Sequence, residues 1–400
     1  MSSSLSSDLF VDSRIRLQHL VTARRSRRLY GGTKHCLWRM GRWACSQTGD
    51  GSRNVSRVGK LRHLIRRVGL GIGPWAIILL YHRVAEVSID PQLLCISPKH
   101  FAEHLECLRH YYRVLSLKEL SKAMRDGHLP KRGVVVTFDD GYADNLYNAK
   151  PLLERYDIPA TVFVTSGYVG LEPEFWWDEL DRLLLQPARL PEAIQLSIGG
   201  STYKWNLGKA AQYSEEDFER NWRWNVLQER APSPRQDIYR TLCQLLRPLP
   251  DGERRRVLDD LLILANASPM TRATHRILSP DEVFRLAEGG LVEVGAHGVT
   301  HSVLSTLPLT AQQEEIQGSK VRLEKILGHP VTSFSYPYGS PSEYTMETVA
   351  LVQEAGFACA CSNFPHVVTR VTDLFQLPRI LVKDWDGDEF ARRLRESFRE

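Results

Sequence analysis

Val134-Val135-Val136-Thr137-Phe138-Asp139-Asp140-Gly141-Tyr142 begins with three β-branched apolar residues and ends on two adjacent carboxylates, a glycine and a tyrosine. The apolar part reads as a buried strand of a parallel sheet. Folds built from alternating strands and helices place their chemistry at the carboxyl ends of such strands. Two neighbouring carboxylates there repel each other unless a cation or a proton relieves them. A solvated turn or a helix cap uses the same residue types. The choice therefore rests on what the rest of the chain sets beside this stretch.

Outward from it, the pattern alternates. Ala76-Ile77-Ile78-Leu79-Leu80-Tyr81 reads as a first core strand ending at His82. Ser97-Pro98 starts a helix, a short strand follows at 112–115, and Ser116 caps a second helix to Met124. A helix over 143–156 and a strand over 160–165 come after the central strand. The alternation returns with a helix over 279–288 and a strand over 291–296 that runs into His297. A helix over 310–327 stops at Gly328, and a strand from Ser333 closes on the turn Pro337-Tyr338-Gly339. A helix to Ala355 and strands over 357–361 and 377–382 precede an Arg-rich terminal helix. Such alternation predicts an α/β fold with a parallel sheet or barrel. Between about 171 and 277 it breaks, which predicts a helix-rich insertion carrying Trp176, Trp177, Trp205, Trp222 and Trp224. Aromatic residues so spaced pack cores more often than they bind sugars. Trp176 and Trp177 follow a strand end closely enough to be substrate-binding candidates.

Composition separates a body from a leader. The 400 residues are 42% apolar and 25% charged, as expected of a globular chain with a sizeable core. Residues 1–73 hold 13 Arg and 2 Lys against 3 Asp, a net +12, so the remainder carries −7 of the whole-chain +5. Residues 1–60 are expected to be a disordered basic leader that could contact anionic surfaces. No nucleic-acid partner is expected for the acidic body. The first residues lack an apolar run of the signal-peptide kind, which favours a cytoplasmic or peripherally membrane-associated protein. Val68–Tyr81 is too short and too broken by Pro74 and three glycines to span a membrane, so no transmembrane segment is expected. Seven cysteines suggest no disulfide framework.

His297-Gly298-Val299-Thr300-His301 places two imidazoles four residues apart at a strand end. Such a pair can face one ion, and Asp140, also at a strand end, can supply a third ligand. Imidazole with carboxylate suits zinc, with cobalt and nickel plausible in the same set, and three protein ligands leave a position for water.

Together, Thr137-Phe138-Asp139-Asp140-Gly141-Tyr142, His297-Gly298-Val299-Thr300-His301 and Ser335-Tyr336-Pro337-Tyr338-Gly339 resemble the successive motifs of the polysaccharide deacetylases, the NodB-homology or carbohydrate esterase family 4 enzymes. The resemblance covers roughly residues 75–390, interrupted by the insertion. It implies a distorted (β/α) barrel of about seven strands, NodB-like and related to the TIM barrel. It also implies hydrolysis of N-acetyl groups on an N-acetylglucosamine-type polysaccharide or oligosaccharide, with release of acetate. Asp139 would be the general base, and Asp140, His297 and His301 the metal ligands. The backbone N–H of Tyr338 would face the oxyanion, with Pro337 beside the substrate.

The chain departs from that family's pattern at three places. No histidine follows Leu377-Pro378-Arg379-Ile380-Leu381-Val382, where many members carry the general acid. Leu79-Leu80-Tyr81-His82 has the same spacing at the first strand, and a closed barrel makes first and last strands neighbours. His82 is therefore the candidate general acid, as in members with a strand-end Tyr-His. Ser335 stands where many members carry an arginine that orients the base, and Arg379 is the candidate replacement. Gly298 stands where Ser or Thr is usual, which predicts the loss of a supporting hydrogen bond. A carbohydrate O-acetyl esterase and a catalytically silent carbohydrate-binding protein are the alternative functions.

Overall fold

The computed structural model describes residues 75–398 apart from Glu172 and Pro187, all within one compact unit, Arg62–Glu400. The basic leader expected at 1–60 lies outside the described residues.

A curled sheet of parallel strands forms the centre, in the order Cys359–Cys361, Ser333–Ser335, Val292–Ala296, Ala160–Val164, Gly133–Phe138, Ala76–Tyr81 and Ile380–Leu381. The short strand Arg113–Val114 adds to the start of Gly133–Phe138. Ala76–Tyr81 and Gly133–Phe138 are buried at every position, because helices cover one face and the barrel interior the other. Each Ile, Leu or Val so buried contributes about 1.5–3 kcal/mol relative to exposure. Ala76 pairs with Gly133 and Tyr81 with Phe138 across the whole ladder. That register brings His82 level with Asp139 at the carboxyl end.

The two ends of the sheet meet through residues 377–382. Leu377 bridges Cys361, and three residues later Ile380 and Leu381 pair with Leu79 and Leu80. The segment changes partners within five residues, so its regular ladder is two residues long rather than the six expected from sequence. This closure makes the first strand a neighbour of the last and gives the distorted (β/α) barrel of seven strands.

Local signals match the helix ends. Ser97, Ser116 and Ser279 accept hydrogen bonds from the backbone of the third helical residue, and Gly328 ends its helix at φ +73°. The helix expected over 143–156 instead opens with a π turn, Asn145–Ala149, before the α-helix Lys150–Tyr156. Residues 171–277 hold the helices Trp176–Leu184, Glu215–Asn221, Pro234–Leu246 and Asp251–Leu264. They also hold a β-hairpin, Ala193–Ile198 with Ser201–Asn206, that the helix-rich expectation lacked. Gly199 and Gly200, both at positive φ, make its turn, and Ile194, Leu196 and Ile198 face inward in strict alternation. These elements share a hydrophobic cluster of their own that includes Tyr142. Among the described residues, no helix is long and apolar enough to cross a membrane.

Candidate active site

The carboxyl ends of six strands converge on one cavity of about 420 Å³. His82, Asp139, Asp140, Trp176, Trp177, His297, His301 and Tyr338 all line it.

Asp139 and Asp140 sit within 4% of full burial. Asp140 adopts φ +77° and Gly141 φ +87°. A Cβ on Gly141 would come within 3.0 Å of Val164, so the motif needs glycine there. The two carboxylates are electrostatically different. Nη1 and Nη2 of Arg379 donate to Oδ1 and Oδ2 of Asp139, each at 2.7 Å. Burial alone would raise the pKa of Asp139, but the guanidinium outweighs it and holds the carboxyl well below its usual range. Arg379 also donates to Ser335 Oγ at 2.8 Å and to the Ser362 carbonyl at 2.8 Å. Ser335 thus stands beside an arginine from another strand.

Asp140 has no Arg or Lys within ion-pair distance among the described residues. Its neighbours are His301 Nε2 at 3.2 Å and His297 Nε2 at 3.6 Å. Burial raises the pKa of Asp140 and lowers those of both histidines, His301 to about 3. A buried carboxylate between two neutral imidazoles is a costly arrangement that a divalent cation would relieve. His297 Nδ1 donates to the Ser335 carbonyl at 2.8 Å, leaving the Nε2 lone pair free to bind. One ligand atom from each of Asp140, His297 and His301 lies within 4.8 Å of the others. The donor set fits a metal.

The histidine loop is braced by residues that no motif announced. Glu315 accepts from the backbone N–H groups of Val299 (2.8 Å) and Thr300 (2.9 Å) and from Thr300 Oγ1 (2.6 Å). A Cβ on Gly298 would lie 3.0 Å from Glu315 Oε2, and Gly298 sits at φ +76°. The support whose loss Gly298 predicted comes instead from Glu315. Arg254, 1% exposed on the helix Asp251–Leu264, donates to the carbonyl of Thr300 at 3.0 Å and to Ser302 Oγ at 3.2 Å. Both contacts hold the turn in which His301 takes φ +55°. Glu315 and Arg254 lie on amphipathic helices and carry no spacing signal.

Tyr338, at φ +61°, forms the opposite side. Gly339 follows it because a Cβ there would lie 2.8 Å from the Asn363 nitrogen. The Tyr338 hydroxyl accepts from Trp176 Nε1 at 3.2 Å, and Trp177 Nε1 donates to Tyr142 Oη at 3.0 Å. Trp176 and Trp177 are thus both packed core and cavity wall. Pro337 is buried behind Gly298 and does not line the cavity. His82 reaches the cavity beyond Tyr81, its carbonyl held by Asn145 Nδ2 at 2.9 Å from the π turn. Burial lowers its pKa, opposed by Asp140 and Asp139.

A second buried group, Asp178, Asp181 and His275, also has ligand spacing. Its polar partners are already in place: the Arg272 guanidinium donates to Asp181 at 2.6 Å, and the neutral Tyr142 hydroxyl donates to Asp178 at 2.7 Å. This is an ionic core that fixes Tyr142.

Residues 126–192 and 263–360 match the family model for polysaccharide deacetylases. The two matched stretches flank most of the inserted region and carry the likeness to that family. Its relatives include the poly-β-1,6-N-acetyl-D-glucosamine N-deacetylase of Staphylococcus aureus (strain MSSA476), 33% identical over 110 residues that cover 24% of this chain and 38% of that protein. YxkH of Bacillus subtilis (strain 168) is 34% identical over 95 residues, covering 23% of this chain and 33% of its own. The chain thus spans little more than a third of the length of these relatives. The Streptococcus pyogenes deacetylase PplD, solved in complex with acetate, superposes with a TM-score of 0.50 at 17% identity over 80% of this chain and 99% of that one, a likeness of fold.

Proposed function

We propose that this protein removes N-acetyl groups from a polysaccharide or oligosaccharide in a metal-dependent hydrolysis, releasing acetate and leaving a free amine. One observation carries the reading: an Arg379-paired carboxylate, Asp139, lies beside the Asp140, His297 and His301 group on the floor of a cavity that His82 also lines. A divalent ion held by that group, zinc best suiting its donors and cobalt or nickel next, would acidify water and polarise the carbonyl.

The chain's own residues supply the rest. Arg379 keeps Asp139 charged, so the base is always available to accept the proton of the attacking water. A carboxylate held so low is a weak base, and it passes that proton on readily. The Tyr338 backbone N–H faces the developing oxyanion. His82, kept mainly neutral by burial, is a strong acid once protonated and gives its proton to the leaving amine. Trp176 and Trp177 wall off the floor and limit water there.

The test is acetate release from N-acetylglucosamine oligomers by purified protein, with added zinc, with chelator, and with Asp139→Asn. Release that disappears with chelator and with the substitution is expected. Absence of release from any N-acetylated oligomer, together with release from an O-acetylated one, would replace this reading with an esterase.

A further inference from the structure

The floor of the cavity is assigned above, but its outer wall has chemistry of its own. The helix Pro234–Leu246 contributes Arg240 and Gln244, and Arg247 caps its end. Seven residues are two helical turns, so Arg240 and Arg247 share one face. Both line the cavity, as does Gln92.

Only one of the two charges is balanced by a carboxylate. Arg247 pairs with Glu343 and lies 4.2 Å over the Tyr338 ring. Arg240 donates to the carbonyls of Gln228 (2.6 Å) and Glu229 (3.4 Å) and lies 5.3 Å over Trp224. Carbonyl oxygens satisfy hydrogens without neutralising a guanidinium. No carboxylate is within ion-pair distance of Arg240 among the described residues, and the Nε atoms of both arginines are buried without a partner. Among the described residues, the only carboxylates lining the cavity are Asp139 and Asp140. Asp139 is matched by Arg379, and Asp140 faces the histidines. An uncompensated cation therefore sits above the floor, where substituents next to the reacting acetamide would lie.

We propose that this wall is an anion subsite, and that the substrate is an acidic glycan bearing a carboxylate or phosphate ester close to the acetylated sugar. Arg240 supplies the free charge, the Glu343-paired Arg247 lines the wall beside Tyr338, and Gln92 and Gln244 offer amides to hydroxyl groups. This assignment rests on the deacetylase reading for what occupies the floor.

The test compares kcat/KM for acetate release from three substrates: a neutral N-acetylglucosamine oligomer, an oligomer alternating N-acetylglucosamine with glucuronate, and one linked through phosphodiesters. The full chain should prefer one acidic substrate by at least about tenfold at low salt, and the advantage should shrink as salt rises from about 0.02 M to about 0.3 M. Whichever acidic substrate is preferred names the source of the charge. Arg240→Gln should cut the acidic-to-neutral ratio about tenfold, and Arg240→Lys should keep most of it. Equal, salt-independent kcat/KM on all three would overturn the subsite while leaving the deacetylase standing. If nothing is turned over, calorimetric binding of the same oligomers to Asp139→Asn decides. Salt-sensitive binding of an acidic oligomer that Arg240→Gln abolishes supports the subsite, and binding blind to charge overturns it.

Discussion

Arg379 and Asp139, 240 positions apart in the chain, meet through two parallel 2.7 Å hydrogen bonds in a fully buried pair. The pairing decides the charge of the candidate base, because without it burial is the strongest influence and acts upward. Arg379→Gln should therefore move the acid limb of the kcat/KM profile to higher pH, measured between about pH 4 and 9. It should also destabilise the fold by about 3–5 kcal/mol, the usual cost of stranding one partner of a buried pair. An unmoved acid limb would show that Arg379 does not set the base's charge.

The same pair makes stability depend on pH. The folded-state pKa of Asp139 lies below the unfolded value of about 3.9, so its contribution is complete above that value and is lost as pH falls toward the folded one. Urea unfolding of the wild type and Asp139→Asn should give a larger stability difference at pH 6 than at pH 3. A difference that grows on acidification would contradict the pairing.

His82→Ala should separate amide from ester chemistry. Loss of a general acid typically costs about 10²–10⁴-fold. The loss is expected on N-acetyl substrates, whose amine must be protonated to leave, and should be much smaller on O-acetyl substrates. Equal losses on both would make His82 a structural residue of the cavity wall.

Glu315→Gln and Arg254→Gln should loosen the loop that presents His297 and His301 without replacing a ligand. Second-sphere losses of this kind cost about 10–100-fold in metal affinity. Competition with a zinc chelator measures that affinity directly, without reference to turnover. Affinity equal to wild type in both variants would remove these residues from any positioning role.

Gly298→Ser, which installs a residue usual for the family, should harm this chain rather than improve it. The backbone is at φ +76°, and the new Cβ meets Glu315 Oε2 at 3.0 Å. Left-handed backbone costs a residue with a side chain about 1–2 kcal/mol, which a thermal melt would register. Stabilisation on this substitution would contradict the arrangement around Glu315.

Much of this was legible in the sequence. Val134–Phe138 and Ala76–Tyr81 announce themselves because both faces of a central parallel strand are buried, leaving continuous apolar runs. Asp140, His297 and His301 were legible because strand ends concentrate them in short motifs. The bracing residues were not. Glu315 and Arg254 act on one loop from two different helices, and nothing in an amphipathic pattern tells a buried arginine that grips carbonyls from a solvated one. The hairpin over 193–206 is a different kind of miss. Alternation at Ile194, Leu196 and Ile198 before Gly199-Gly200 is a hairpin signal, obscured by the helical character of its neighbours. The two-residue ladder at Ile380–Leu381 follows from a change of partner, which only the closed sheet reveals.

The closure of the barrel has a consequence for how the protein is made. Synthesis delivers Asp139 early, whereas Arg379 arrives with the segment that joins Cys361 to Leu79 and Leu80. Until that segment docks, Asp139 lacks the guanidinium that offsets its burial. The candidate base thus meets its countercharge in the same event that seals the sheet.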